Sequence, residues 1–177
     1  MSSPFVFLNE QGKPYLDFAR YLKEKCNGEK PDYITILLGI NDCFSGTRNP
    51  EKYTDGKINK MFANADILLK EFRKVCPKAT IGVCLPPPGN SRQGAFLANY
   101  RGKYNRDPWK IVQFELDRRI IKKFKNREKE NIYLIPVELN LDITNGFPEK
   151  NALHPNKFGY NQIGDSMYSW LKTMLSR

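Results

Sequence analysis

The sequence has little of the residue types that build metal sites. It contains one histidine, His154, and four cysteines at Cys26, Cys43, Cys76 and Cys84, none of them in C-x-x-C spacing. Structural metal sites need several Cys and His ligands at characteristic spacings, so we predict no metal and no cofactor. The cysteines lie in apolar or helical patterns, which favours buried free thiols.

Long apolar runs are also absent. No stretch reaches the roughly 20 apolar residues of a transmembrane helix, and the first residues lack the basic and apolar regions of a signal peptide. We therefore expect no membrane span, whereas the compartment stays open because residues upstream of Met1 could carry a leader. No internal repeat is present, which argues against solenoids and propellers.

What the chain does have is enough apolar material for one core. Its 177 residues are 40% apolar and 12% aromatic, which predicts a single domain over residues 1–177 rather than a disordered chain. The 29 Lys and Arg against 19 Asp and Glu give a net charge of +10. This charge suits either an acidic partner or a solvated basic surface. Without a nucleic-acid-binding motif, we expect no nucleic-acid partner.

Apolar runs alternate with amphipathic helical patterns along the chain. The predicted strands are Tyr33–Leu38, Thr80–Leu85 and Ile132–Val137. The predicted helices are a short one within Leu16–Cys26, a long one over Ile58–Val75, one that Asp107 caps, and a last one from Asn156. This alternation predicts an α/β fold in which the three strands are parallel neighbours in chain order, with helices on both faces of the sheet.

The carboxyl ends of parallel strands meet at one rim, where ligands bind in such sheets. Three segments follow predicted strands: residues 39–41, 86–105 and 138–154. We therefore expect Asn41 and His154 to share one cleft. The second segment is a loop of about twenty residues, far above the usual ~4–6, and it carries Arg92 and Tyr100. We expect it to form a substrate wall.

Two residues at this rim could carry chemistry. A histidine exchanges protons near neutral pH and can act as a general base, although His154 could instead cap its loop. The amide of Asn41 could donate to a developing oxyanion, although Gly39, Asn41 and Asp42 are also ordinary turn residues.

The block Gly39-Ile40-Asn41-Asp42 after a strand, with the late block His154-Pro155 before the last helix, resembles the SGNH (GDSL-type) hydrolase superfamily. The resemblance implies a flavodoxin-like three-layer sandwich and a metal-free Ser–His mechanism on acyl esters. It also implies His154 as general base, Asn41 as oxyanion donor and Asp42 as support for the loop. Gly39, Asp42, Arg92 and Tyr100 are the predicted substrate-binding residues.

The sequence departs from this family at two places. Asn151 stands where the family has an aspartate that orients the histidine. Asn151, a carboxylate such as Asp142 or Glu149, or a backbone carbonyl would take that role, or else activity is low. No Gly-Asp-Ser nucleophile block precedes Gly39. The triplet Gly164-Asp165-Ser166 lies inside the last predicted helix, where a nucleophile lacks its strand-to-helix turn, and we interpret it as a coincidence.

The sequence thus resembles the C-terminal part of such a hydrolase without its first strands. We predict an acyl or acetyl esterase that acts on a small-molecule or carbohydrate ester, with the serine block absent from this chain. The alternative is a catalytically inactive fragment or pseudoenzyme that binds a glycan or a partner chain. The strand at Tyr33 would be an exposed edge, which either Pro4–Leu8 or a second copy could cover, and we favour a homo-oligomer.

Overall fold

The computed structural model describes residues 3–177 and shows an α/β fold. The strands are β1 (Val6–Leu8), β2 (Pro14–Leu16), β3 (Tyr33–Ile36), β4 (Thr80–Cys84) and β5 (Ile132–Ile135). The helices are α1 (Phe18–Lys25), α2 (Ile40–Cys43), α3 (Pro50–Val75), α4 (Gln93–Tyr100), α5 (Arg106–Phe124) and α6 (Lys157–Leu175). Short 3-10 segments span Phe44–Arg48, Glu128–Glu130 and Val137–Asn140. Among the helices of the described residues, none is long and apolar enough to cross a membrane.

The central sheet has the order β3-β4-β5, and both pairs of neighbours are parallel. The predicted adjacency, direction and order of the three strands are therefore confirmed. β4 lies between the other two and is buried from Ile81 to Cys84, whereas β3 is only half-buried. This difference follows from position, because a central strand is covered on both sides and an edge strand on one.

Side chains of the sheet alternate between two apolar layers. Ile81 and Val83 face a core that α1, α3 and α5 share, and Cys84 and Ile135 face a second core under α6. The fold is thus the three-layer sandwich that was expected. The cysteines are free thiols, with Cys26 half-buried and the others buried.

Two helix starts differ from prediction because of local capping. α3 begins at Pro50 rather than Ile58, since the Asn49 side chain accepts from the Lys52 amide at 3.1 Å and Pro50 fits the first turn. α5 begins at Arg106, so Asp107 lies in its first turn and is not the cap. The side chain of Gln93 accepts from the Arg106 amide at 2.8 Å instead.

Two other predictions are corrected by short-range structure. The 86–105 segment is not all loop, because it contains α4, whose Phe96 is fully buried. Of the two alternatives for covering the Tyr33 strand, the addition of Pro4–Leu8 is wrong. Val6–Leu8 pairs with Pro14–Leu16 in a separate hairpin, closed by a turn in which the Gly12 amide donates to the Asn9 carbonyl. A strand pairs most readily with the one across a tight turn, since loop closure is then least costly.

The position of α6 depends on close contact between two glycines. A methyl group at Gly159 would overlap the Gly146 carbonyl oxygen and lie 2.9 Å from the Pro155 Cβ. We expect Gly159→Ala to lower the free energy of unfolding by about 2 kcal/mol, because the clash with backbone outweighs the gain in helix propensity. Urea denaturation measures this change.

The matched control is Gly164→Ala in the same helix, where a methyl group would meet no atom within 4 Å. This variant should raise the free energy of unfolding by about 0.5–1 kcal/mol. Equal effects of the two substitutions would contradict the packing argument.

Candidate active site

The first loop of the rim begins where β3 ends and turns sharply into α2. Gly39 adopts φ 111° and caps this short helix, a left-handed conformation that favours glycine. A side chain there would also press on Leu116, because its Cβ would lie 3.4 Å from a Leu116 methyl carbon. Asn41 and Asp42 follow on α2 and are both exposed. Within the described residues, neither side chain makes a hydrogen bond, so the expected support of the loop by Asp42 is not seen.

An aromatic cluster joins this first loop to the second. The ring of Phe44 lies 4.9 Å from Tyr100, 4.8 Å from Tyr104 and 5.3 Å from Trp109, measured between centroids. Trp109 is fully buried, and its indole N–H donates to the Pro88 carbonyl at 2.8 Å. The predicted substrate residue Tyr100 is thus half-buried among aromatic rings, and burial raises the pKa of its hydroxyl.

A buried asparagine, Asn90, fastens the second loop to the third. Its amide Nδ2 donates to the Pro148 carbonyl at 2.8 Å and to the Asn151 carbonyl at 3.0 Å, and its Oδ1 accepts from the Arg92 amide at 2.9 Å. Its own backbone N–H donates to the Ala152 carbonyl at 2.8 Å. The segment that leads to His154 is therefore held against the loop after β4.

Arg92 and the residues beside it complete this junction. The Arg92 guanidinium donates to the Thr144 carbonyl at 2.7 Å, and the Ser91 hydroxyl bonds to the Thr144 hydroxyl at 3.0 Å. Arg92 thus lies at the rim as predicted, but part of its donor capacity ties two loops together.

His154 is exposed at the end of the third loop. Its backbone N–H donates to the Asn151 Oδ1 at 2.9 Å, and the Leu153 amide donates to the same oxygen at 3.1 Å. In the described part of the chain, no side chain bonds to the imidazole. Asn151 therefore fixes the backbone before His154, and its oxygen is engaged by that backbone.

Of the two carboxylates considered as partners of His154, Asp142 serves a local turn. Asp142 accepts from the Thr144 and Asn145 amides at 2.8 and 2.9 Å and from the Asn145 side chain, and these bonds lower its pKa. Glu149 is exposed. Within residues 3–177, no cluster of three or more His, Cys, Asp or Glu side chains could hold a metal ion.

The triplet Gly164-Asp165-Ser166 lies within α6, as predicted, and the Ser166 hydroxyl donates to the Gln162 carbonyl at 3.2 Å. This bond is the ordinary back-bond of a helical serine. The helix position lacks the exposed turn that a nucleophile needs.

Sequence reasoning missed two half-buried acids behind the rim. Asp117 on α5 and Glu138 after β5 each have an oxygen that is buried without a hydrogen-bond partner in the described residues. Burial, and then the charge of Glu138, raises the pKa of Asp117 to about 8, and burial also raises the pKa of Glu138. The available signal was the i, i+4 pair Gln113 and Asp117 beside the apolar stripe of α5, and the two side chains are hydrogen-bonded.

Comparison with known proteins found a matching family model and distantly similar solved structures. The family model described as GDSL-like Lipase/Acylhydrolase matches residues 8–167. A solved structure from Streptococcus pneumonia, provisionally described as a platelet activating factor, shares 17% identity with a TM-score of 0.54, over 86% of this chain and 67% of that one. A provisionally assigned GDSL-like lipase from Parabacteroides merdae ATCC 43184 shares 21% identity with a TM-score of 0.45, over 85% and 66%. No curated protein matches the sequence. The first likeness supports the fold, and the chain spans about two thirds of each solved relative.

The bonds of Asn90 lead to a test of the rim. Asn90→Ala removes three side-chain hydrogen bonds in a buried place and should lower the free energy of unfolding by about 2–4 kcal/mol. Thermal and urea unfolding measure the effect. Asn99→Ala is the control, because the exposed Asn99 makes one bond to the same segment, at the Ala152 amide, and should cost under about 1 kcal/mol.

The buried acids predict a dependence of stability on pH. Because the folded-state pKa of Asp117 lies near 8, above the ordinary value of 3.8, its contribution is fully present below the ordinary value and is lost as the pH rises to the folded value. The melting temperature should therefore fall between about pH 5 and pH 8, and Asp117→Asn should flatten this slope. A wild-type protein that is most stable at pH 8 would contradict this assignment.

Proposed function

The chain belongs to the GDSL-like lipase/acylhydrolase family, a group of SGNH-type hydrolases, and from this premise we propose that its rim serves the hydrolysis of acyl esters. The observation that carries the proposal is the junction of the loops that follow β3, β4 and β5. Asn90 links the loops after β4 and β5 through hydrogen bonds, and Phe44, which follows β3, packs against the rings of Tyr100 and Trp109. His154 and Asn41 lie exposed on the outer two.

His154 is proposed as the general base. It would take the proton of a hydroxyl nucleophile as the oxygen attacks the ester carbonyl, and it would return that proton to the departing alcohol. The bond between the His154 backbone and Asn151 fixes the main chain without engaging the imidazole, which leaves both ring nitrogens for proton transfer.

Asn41 is proposed as a donor to the oxyanion of the tetrahedral intermediate. A single preorganised donor of this kind is worth roughly 2.7–4 kcal/mol in the transition state. Gly39 sets the turn that presents Asn41. We propose that Asp42, Arg92 and Tyr100 contact the substrate beside it.

The charged residues beside the aromatic cluster favour a polar ester over a lipid as the substrate. Arg48 and Lys103 lie 5.7 and 5.8 Å from the ring of Tyr104, at the aromatic cluster beside the first loop. Positive charge next to an aromatic surface suits the hydroxyl and acidic groups of a carbohydrate. An acetylated, acidic carbohydrate is therefore the substrate class that we propose.

A second candidate function is a module without catalytic turnover that binds a glycan or a partner chain. Among residues 3–177, no serine hydroxyl bonds to His154, and the hydroxyls of Ser91 and Ser166 are engaged elsewhere. An asparagine at position 151 also stabilises an imidazolium less than an aspartate does, an exchange that costs about 10⁴ in kcat in a serine protease. These observations indicate that this chain by itself hydrolyses esters slowly.

Hydrolysis of 4-nitrophenyl acetate and labelling with a fluorophosphonate test the proposal together. We expect slow hydrolysis in which His154 activates water. His154→Ala and Asn41→Ala should each reduce it about 10²-fold. Ser166→Ala, the matched control in the misleading triplet, should leave the rate unchanged. The fluorophosphonate should form no adduct, because it needs an activated serine.

Different results would separate the candidates. A rate that His154→Ala leaves intact would favour the binding module. A fluorophosphonate adduct on a serine of this chain, or a loss of activity in Ser166→Ala, would contradict the proposal that water is the nucleophile and that the Ser166 triplet is a coincidence. Binding of an acetylated acidic oligosaccharide without turnover would also support the second candidate.

A further inference from the structure

The outer face of α5 carries an apolar stripe that the core does not cover. Ile111, Phe114 and Ile121 form this stripe, and they are 59%, 68% and 41% exposed. At about 3.6 residues per turn, the three positions fall within an arc of about 80° on the helix surface. The opposite face holds the buried side chains of α5, which are Trp109, Val112, Gln113, Leu116, Ile120 and Phe124. The helix is therefore apolar on two faces, and exposed apolar patches mark sites of interaction.

Three exposed lysines surround the stripe. On the helix surface Lys110 flanks it on one side and Lys122 on the other, and Lys125 follows it at the C-terminal end of α5. Among residues 3–177, none of the three lysines forms a salt bridge. Their charges are therefore available to a partner outside the chain.

The acids beside the stripe are matched by arginines. Glu115 accepts two bonds from the Arg118 guanidinium, at 2.8 and 2.7 Å. Asp107, one turn before Ile111, lies 3.3 Å from the Arg106 guanidinium. The face as a whole thus combines apolar side chains with positive charge that its own acids do not offset.

The position of α5 separates this face from the β3 edge. α5 packs against β5 and α3, and β5 lies at the opposite edge of the sheet from β3. The stripe is on the side of α5 that points away from its buried face, so a strand added beside β3 would not cover it. The exposure of the stripe is a property of α5 itself.

We propose that this face of α5 attaches the protein to an anionic lipid surface. A helix with aromatic and aliphatic side chains on one face and lysines around them lies in the plane of a membrane interface. Ile111, Phe114 and Ile121 would enter the boundary between headgroups and acyl chains, and the lysines would contact the lipid phosphates. Attachment of this kind is peripheral and needs no membrane-spanning helix.

The combination of charge and apolar surface favours lipid over other partners. A second copy would set the same lysines against one another, and like charges oppose such a contact. A nucleic acid binds mainly through its phosphates, which would leave three apolar side chains against charged groups. Lysine is depleted at protein interfaces, whereas it is typical of helices that lie on membranes.

The attachment would leave the rim accessible. α5 begins at the rim, where the Trp109 ring lies 5.3 Å from that of Phe44 between centroids, and the stripe is on the opposite side of the helix from Trp109. A chain bound through the stripe would therefore hold its rim beside the lipid surface and not against it. The inference does not depend on the ester hydrolysis proposed above, and it holds equally for an inactive chain.

Cosedimentation of the full chain with lipid vesicles tests the attachment. We expect binding to vesicles of phosphatidylglycerol and phosphatidylcholine in equal parts, but not to phosphatidylcholine alone, and weaker binding when salt screens the lysines. Phe114→Gln should weaken binding about 10-fold because less apolar surface is buried, and it should unfold at the wild-type temperature. Ile67→Gln is the matched control, because Ile67 on α3 is 58% exposed, and it should bind as wild type does.

A second pair of variants tests the charges at constant net charge. Replacement of Lys110, Lys122 and Lys125 by glutamine should weaken binding about 5-fold for each lysine. The same replacement at three exposed lysines outside α5 removes as much charge and should have a much smaller effect. The control lysines are Lys13, Lys25 and Lys78.

Phe114→Trp reports the depth of the stripe by fluorescence. Trp109 and Trp170 are buried, so the added exposed indole should give an emission that shifts to the blue on anionic vesicles only. A wild-type chain that does not bind these vesicles at low salt would overturn the proposal. Binding that survives both Phe114→Gln and the α5 lysine variant would place the contact elsewhere and would also overturn it.

Two other results would identify a different kind of binding. Weakening by the lysine variant alone, without a blue shift, would show ionic adsorption and contradict insertion of the stripe. Binding to poly-glutamate that depends on Phe114, in a chain that leaves vesicles unbound, would replace the lipid surface by an acidic protein.

Discussion

The carboxamide of Asn90 is the constraint on which the candidate site depends. It is 1% exposed and bonds to three backbone groups from two loops, while its own amide bonds to a further group, the Ala152 carbonyl. Loops carry backbone groups that must find partners when they are buried. A single side chain with two donors and an acceptor satisfies several of them together. The rigidity of the rim near His154 thus follows from the need to satisfy buried backbone groups within the loops.

Close contacts between backbone segments also fix the third loop against α6. Gly146 and Gly159 bring the third loop into contact with α6, and Gly82 lets Trp170 lie against the sheet. The rim, α6 and the central strand are therefore packed as one unit, since close-packed interiors transmit small displacements. The buried acids Asp117 and Glu138 lie behind this unit. Burial and the charge of Glu138 raise the pKa of Asp117 to about 8, so the Asp117 carboxyl is mostly protonated at neutral pH.

Packing differs between the strands of the sheet, because β4 is buried whereas β3 is half-buried. The rim presents polar and aromatic groups on loops that the sheet holds in place, which suits a small ester.

The sequence alone determined the parallel sheet, the order of its strands and the positions of His154 and Asn41 after strand ends, because burial on two faces and helical periodicity are local patterns. It also identified the triplet at Ser166 as helical. Only the tertiary structure showed that the Asn151 oxygen serves the backbone, that Asn90 joins two loops, and that the charge of Glu138 acts on Asp117. The bonds of Asn90 to the third loop and the effect of Glu138 on Asp117 link residues that are distant in sequence, and the Asn151 bonds depend on a loop conformation, so none of them leaves a periodic trace. The pairing of β1 was also decided by tertiary structure. β1 could pair with nearby β2 or with distant β3, and amino-acid composition does not show which pairing is more stable.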